Sequence, residues 1–510
     1  MHLFIRKFVW THRAILAISL VYIVLTTTSL TLLPIGNDEG IYLDWGMRTI
    51  AKPGYLYYPI NDGKTPLLMW FFGLSQKFFN DPLFAGRLVS VVAGLIGLVG
   101  LYKIGDSYFN KKTAIFSSIL FLLTPIIFFY NRQSLMEAGV AASGIWSTYY
   151  FLKFLKTNSS SDSLKSGAIV GIGFFIKTNA AIFLLVFLSI GVLRMFKDKK
   201  RNFKPIGVLL TAFLGTISIL LINPDFWKTF HLNSRYSHTF LELLSFPIGV
   251  WWSNILINIS ILLVFVTPLI ALISFYGLFL LRKKNIAFVV IAVIPIIIET
   301  LLAKSTSQRY LVSFLPLILI GGGFALSKLE NKRKFSGLVI LIVALTIPTY
   351  LVYLQIINPK AYFTTTKTLS SATETSYIEG SLSGYGVNAA LESIRKRGEK
   401  QRIFIAIAEN AGNPESALQV YLENEKNIKI GYMEYRYFGD QLIGKSCIKD
   451  VNGLKLYFVS RSNYLVGLEN FLILEEKIPI PGTEAYIGIH KIRESCAENK
   501  TLLVKPVFSN

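Results

Sequence analysis

ILINISILLVFVTPLIALISFYGLFLL, residues 255–281, runs for 27 positions without a charged side chain. A helix rises 1.5 Å per residue, so roughly 20 apolar residues cross a hydrocarbon core about 30 Å thick. Ala14–Leu33 and Ile206–Ile222 read the same way. A cleaved secretory leader does not account for the first run, because many more follow it. The runs lack the alternation of a membrane barrel, which leaves the helix as the spanning form. Composition agrees: 52% of the 510 residues are hydrophobic and 16% charged, against about 25% charged in an ordinary soluble chain.

The formal charge of +22 would suit a nucleic-acid binder, but its distribution argues otherwise. From Lys360 onward, 19 Lys and Arg face 17 Asp and Glu; the preceding residues hold 33 basic against 13 acidic, mostly in short loops. That is the positive-inside pattern of a membrane protein, and no nucleic-acid partner is expected. Arg6, Lys7 and Arg13, Lys111–Lys112, Lys153–Lys156, Lys197, Lys199, Lys200 and Arg201, Arg282–Lys284, and Lys328 with Lys332–Lys334 all fall on one side under a particular count. The spans lie near 14–33, 84–103, 113–130, 137–155, 165–176, 180–196, 204–222, 255–281, 286–303, 308–327 and 335–357. These are eleven crossings. The count leaves out Pro66–Phe79, which at 14 residues is short for a span and reads as re-entrant or interfacial.

The expected architecture is an all-α membrane domain over 1–359, with external loops at 34–83 and 223–252, and a soluble domain over 360–510. The first external stretch is acidic and aromatic, with Asp38, Glu39, Tyr42, Asp44 and Trp45. The second carries Phe240, Leu243, Leu244 and Phe246 at a spacing that suits an amphipathic surface helix. Beyond Pro359, helical spacing over Tyr385–Arg397 and Pro414–Glu425 alternates with strand-like runs at Arg402–Ala408, Leu454–Val459, Phe471–Leu474 and Ala485–Ile489. A small α/β or α+β domain follows. Cys447 and Cys496 both fall in it. If it is external they could form a disulfide; two unpaired small hydrophobes fit equally.

Ionisable groups near the outer helix ends are the candidates for chemistry, because a charge at the bilayer centre costs roughly 3 kcal/mol. Asp38 and Glu39 follow the first span, and one carboxylate could serve as general base while its neighbour orients or binds. Arg132, Glu137, Lys177, Glu299, Lys304, Arg309 and Tyr310 are expected at the same face. The basic groups suit a phosphate, with Arg offering a bidentate fork. Snorkelling to headgroups would explain each cation singly, but not the acidic partners. There is no phosphate-binding glycine loop, dinucleotide fingerprint or HExxH pattern.

Several stretches resemble, in order, the bacterial ArnT-like and protein-O-mannosyltransferase-like membrane glycosyltransferases, which have the GT-C fold. They are Asp38–Glu39 with Tyr42, KTPLLMWFFGLSQKFF at 64–79, AGRLVSVVAG at 85–94, LTPIIFFYNRQSLMEAG at 123–139, GIGFFIKTNA at 171–180, QRYLVSFLPLI at 308–318 and YIEGSLSGYGVNAALESI at 377–394. Thr65 and Glu137 depart from the family's pattern, where Pro and Asp are common. The resemblance implies a multi-pass plasma-membrane enzyme with an extracytoplasmic C-terminal domain. It would transfer a sugar from a polyprenyl-phosphate donor to a lipid, glycan or protein acceptor by inverting displacement. Asp38 would be the base, Glu39 and Glu137 accessory carboxylates, Arg132, Lys177, Lys304 and Arg309 donor-phosphate ligands, and Tyr42, Lys64 and Tyr310 substrate contacts. A divalent metal on Asp38, Glu39 and Glu137 stays open. The rival of another class is a transporter or flippase of a lipid-linked saccharide.

Overall fold

A computed structural model describes residues 2–197, 204–408, 411–433, 450–451, 454–462, 472–492 and 505–506. Lys199, Lys200, Arg201, Cys447 and Cys496 lie outside the described residues. Two compact units emerge: one of 1–30, 53–71 and 87–373, the other of 31–52, 72–86 and 374–510.

The first unit is helical. Among the described residues four helices are long and apolar enough to cross a membrane: Pro82–Tyr108, Lys204–Ile222, Ile248–Val266 and Ser336–Ile357. Shorter apolar helices accompany them, among them Arg13–Thr27, Pro268–Leu281 and Ile286–Leu302. Leu67–Ser75 is a helix of nine residues, about 14 Å at 1.5 Å per residue and too short to span.

The long run 255–281 is not one helix. It breaks at Thr267, whose φ is +77°, and restarts at Pro268, which has no N–H to continue the ladder. The halves nonetheless form one traverse beside Ile286–Leu302. At one end Trp251 and Asn254 donate to the Leu301, Thr300 and Ala303 carbonyls, and at the other a tight turn after Leu281 leads into Ile286. Two more expected spans are likewise interrupted. Pro125 restarts the helix after Leu123, and Pro316 restarts the one after Val312.

Basic residues gather at one end of this unit. Lys112 donates to Asn331 at 3.1 Å, and Lys284 and Lys328 both approach the Phe324 ring. Glu137 begins the helix Glu137–Thr157, and Lys177 caps the far end of its antiparallel neighbour Ser160–Ile176. Both therefore sit at the opposite end.

The second unit contains a mixed sheet. Its strands are β1 (Ile403–Ala408), β2 (Ile428–Met433), β3 (Asp450–Val451), β4 (Leu454–Arg461), β5 (Leu472–Pro479), β6 (Tyr486–Ile492) and β7 (Lys505–Pro506). The order is β5-β6-β4-β1-β2-β7, with β3 beside β4. β1 pairs in parallel with β2 and β4 and all its residues are buried, as expected for a strand covered on both faces. Helix Val387–Lys400 turns Val387, Ala390, Leu391 and Ile394 inward, one stripe at helical spacing. Helix Glu415–Leu422 forms the β1–β2 crossover and packs on helix Asn37–Ala51.

Close helix packing in the first unit depends on absent side chains. A Cβ on Gly277 would fall 1.8 Å from the Gly321 carbonyl oxygen, whereas one on Gly215 would meet nothing within 4 Å. Gly277→Ala should destabilise the detergent-solubilised protein by about 1–3 kcal/mol, read as a lower unfolding temperature. Gly215→Ala should not.

Candidate active site

Three elements of the first unit converge on one carboxylate. Glu137 is 0% exposed at the first position of its helix, where the helix dipole favours negative charge. Its Oε1 accepts from Lys177 Nζ at 3.0 Å and from Arg309 Nε at 3.3 Å. Lys177 stands where extended backbone ends Ser160–Ile176, and Arg309 lies in the one-turn helix Gln308–Val312. Tyr310 joins them, its ring centroid 5.3 Å from Lys177 Nζ. Glu299, also buried, acts electrostatically on Lys177. An ion buried this deeply costs several kcal/mol in lost hydration, which two cations offset. Glu137 Oε2 accepts no hydrogen bond from the described residues.

The turn that delivers Arg309 is held by polar side chains inside the bundle. Asn254 Nδ2 donates to the Thr300 and Ala303 carbonyls, and its Oδ1 accepts from Thr306 N–H. Asn258 bridges the Thr300 and Thr306 hydroxyls. Gln308 donates to the Ala372 carbonyl at 2.8 Å. None of these residues was singled out from sequence. Asn254 and Asn258 one helical turn apart in an apolar run were the signal available.

Two of the four cations assigned to the donor phosphate have other partners. Arg132, 5% exposed, donates to the backbone carbonyls of Thr26, Thr28, Ser29 and Gln355. It thus clamps the end of the first helix. Lys304 pairs with Glu242 at 2.7 Å, in a segment stitched further by His238 N–H to the Leu302 carbonyl and Lys304 N–H to the Tyr236 carbonyl. Glu242 is held down to about 2, first by the Lys304 hydrogen bond and then by the Thr239 N–H. Lys64 lies over the Tyr236 ring at 4.8 Å, beside an Arg235–Asp62 ion pair.

Asp38, Glu39 and Tyr42 belong to helix Asn37–Ala51 of the second unit. Asp38 is half-buried and its Oδ1 accepts from Asn37 Nδ2 at 3.2 Å. Glu39 is buried and its Oε2 accepts the Gly36 N–H at 2.8 Å. That is the returning half of a capping box, the other half being ruled out because Gly36 has no side chain. Tyr42 is buried, its ring 5.7 Å from Trp45. A turn further on, Asp44 and Arg48 form a buried bidentate pair at 3.0 and 3.1 Å. Burial, and next the Asp44 charge, push Glu423 up to about 7. Among the described residues no three His, Cys, Asp or Glu side chains group as metal ligands.

The family model described as dolichyl-phosphate-mannose-protein mannosyltransferase matches residues 63–228. ArnT from Cupriavidus metallidurans, crystallised with undecaprenyl phosphate, superposes with a TM-score of 0.62 over 96% of this chain and 100% of its own, at 13% identity. Its apo structure gives 0.60 over 95% and 99%, at 14%. The fold is that of ArnT. The likeness to ArnT extends over nearly the whole chain and is one of fold. Among curated proteins no sequence matches significantly. The ArnT-like fold carries a helix-rich membrane part together with a small mixed-sheet domain.

Arg132 separates binding from scaffolding. Arg132→Ala removes the donor to four carbonyls, those of Thr26 and Gln355 in buried bonds, and loss of charged hydrogen bonds should cost about 3 kcal/mol or more. Thermal unfolding of the detergent-solubilised protein should record that loss.

Proposed function

We propose that the chain transfers a glycosyl group from a polyprenyl-phosphate-linked sugar to an acceptor hydroxyl on the extracytoplasmic face. The observation that carries this reading is the shared carboxylate. Lys177 and Arg309 bring two positive charges to the one Glu137 carboxylate they share, with buried Glu299 acting on Lys177, and so place two cations together at the helix ends. Such a site suits the phosphate of a lipid carrier, and the ArnT fold supports it.

In this reading the donor's phosphate binds to Lys177 and Arg309, with Glu137 holding both cations in place. The acceptor oxygen attacks the anomeric carbon as its proton passes to Asp38. The bond from that carbon to the phosphate oxygen breaks, and its electron pair leaves with the polyprenyl phosphate. Charge gathering on the departing phosphate is stabilised by fixed cations, the kind of contribution that usually dominates catalysis. Attack opposite the leaving group inverts the anomeric centre. Glu39 shapes the turn that carries Asp38, in keeping with its bond to Gly36. The eleven crossings, with basic clusters cytoplasmic and the sheet domain outside, are part of the same proposal and are supported by the gathering of Lys112, Lys284 and Lys328 at one end.

Purified protein in nanodiscs should release undecaprenyl phosphate from at least one member of a panel of undecaprenyl-phosphate hexoses and pentoses, given a membrane extract as acceptor. Asp38→Asn should lower that turnover by about 10²–10⁴-fold, the usual contribution of a general base, with the unfolding temperature kept. Saccharide crossing the membrane with the donor bond intact would favour a flippase instead.

A further inference from the structure

Asn413 lies 376 positions along the chain from Asn37, yet its backbone N–H donates to Asn37 Oδ1 at 3.0 Å. The Asn413 side chain reaches the same turn, donating to the Ile35 carbonyl at 2.8 Å and to the Leu382 carbonyl at 3.2 Å. Gly412, at φ +80°, lies flush against Asn37, and a Cβ there would come within 2.0 Å of Asn37 Oδ1. Gly40, one turn into the helix, packs on Asn413 and Ala417, where a Cβ would come within 3.2 Å of Asn413 Oδ1 and 3.3 Å of Ala417 N. All of these residues belong to the second unit.

An amide has one accepting end and one donating end. Because a backbone N–H faces Asn37, the amide must turn its oxygen that way, and this sends Nδ2 toward Asp38 Oδ1, 3.2 Å off. We propose that Asn37 is a positioning residue for Asp38, and that the soluble domain sets it through the Gly412–Asn413 backbone. This rests on the reading of Asp38 as the base. The soluble domain then acts on the chemistry through a specific hydrogen-bond relay: Asn413 N–H to Asn37 Oδ1, then Asn37 Nδ2 to Asp38 Oδ1. A donor on the carboxylate favours its charged form, so the relay fixes the orientation of the base and lowers its proton affinity. The other ionisable groups on the elements packed around this turn have their own contacts. Glu39 holds the Gly36 N–H, the Tyr377 ring lies over Gly36, and Glu415 is bound to Ser460 and Arg461.

The test labels Asp38 with a carbodiimide, which reacts with the protonated carboxyl, across a pH series on the full-length protein in nanodiscs. Peptide mass spectrometry reads the labelling midpoint. Asn37→Ala removes the donor, and Gly412→Ala displaces Asn37 from the soluble domain's side. Each should raise the midpoint by about half to one pH unit, the size of a lost hydrogen bond. Each should also lower kcat on the undecaprenyl-phosphate sugar that the wild type turns over, with KM within about twofold, because a positioning contact acts on the transition state. Resistance to trypsin checks the fold, and Gly412→Ala serves if Asn37→Ala fails it. An unchanged midpoint in a folded variant overturns the relay. A shifted midpoint alongside an Asp38→Asn protein that retains turnover keeps the relay and overturns the base assignment instead.

Discussion

One buried carboxylate organises the helical unit. Glu137 has no access to water, so its charge is tolerable only with compensating charge at hydrogen-bond distance. Lys177 and Arg309 provide it from two other elements. The requirement reaches outward from there. Lys177 must stand where its helix gives way to extended backbone, and Arg309 must sit in a short helix between two breaks. The turn before Arg309 must in turn be held by Asn254 and Asn258 within an otherwise apolar run. The same arrangement that makes Glu137 stable leaves the cations in excess over it.

The membrane class was legible because apolar length and charge are properties of composition. The brevity of 66–79 was legible for the same reason, and the structure holds only nine helical residues there. The interruptions were harder. Pro125, Pro268 and Pro316 each sit inside apolar runs, and hydropathy does not register a lost N–H. Pro268 stands in plain view within 255–281, but the run reads as one span unless the missing donor is counted. Beyond Pro359, helix Val387–Lys400 and strand Ile403–Ala408 appeared nearly where the pattern placed them, the first by its apolar stripe and the second as a short apolar run, whereas strand Ile428–Met433 was missed. What no local pattern gave was the pairing of 31–52 and 72–86 with 374–510 in one compact unit.

Among the candidate residues, sequence grouped cations by the membrane face they should occupy and had no means to see their partners. Arg132 and Arg309 look alike in a one-dimensional reading. The first finds four backbone carbonyls and the second a carboxylate. Lys304 was separated from Lys177 by Glu242, 62 positions away in the chain. Glu39 was paired with Asp38 by adjacency, whereas its carboxylate serves the helix that carries them both. Neighbours in sequence shared a location here, and tertiary partners decided what each could do.

In the proposed function Lys177 and Arg309 hold a lipid-borne phosphate. Titration of undecaprenyl phosphate into the nanodisc-embedded protein, followed by native mass spectrometry, tests it directly. Removing one charged hydrogen bond of about 1.5–3 kcal/mol weakens binding roughly 10- to 100-fold. Lys177→Gln and Arg309→Gln should each show that loss, and Lys304→Gln should bind as the wild type does. Equal affinity in all three variants and the wild type would contradict the account.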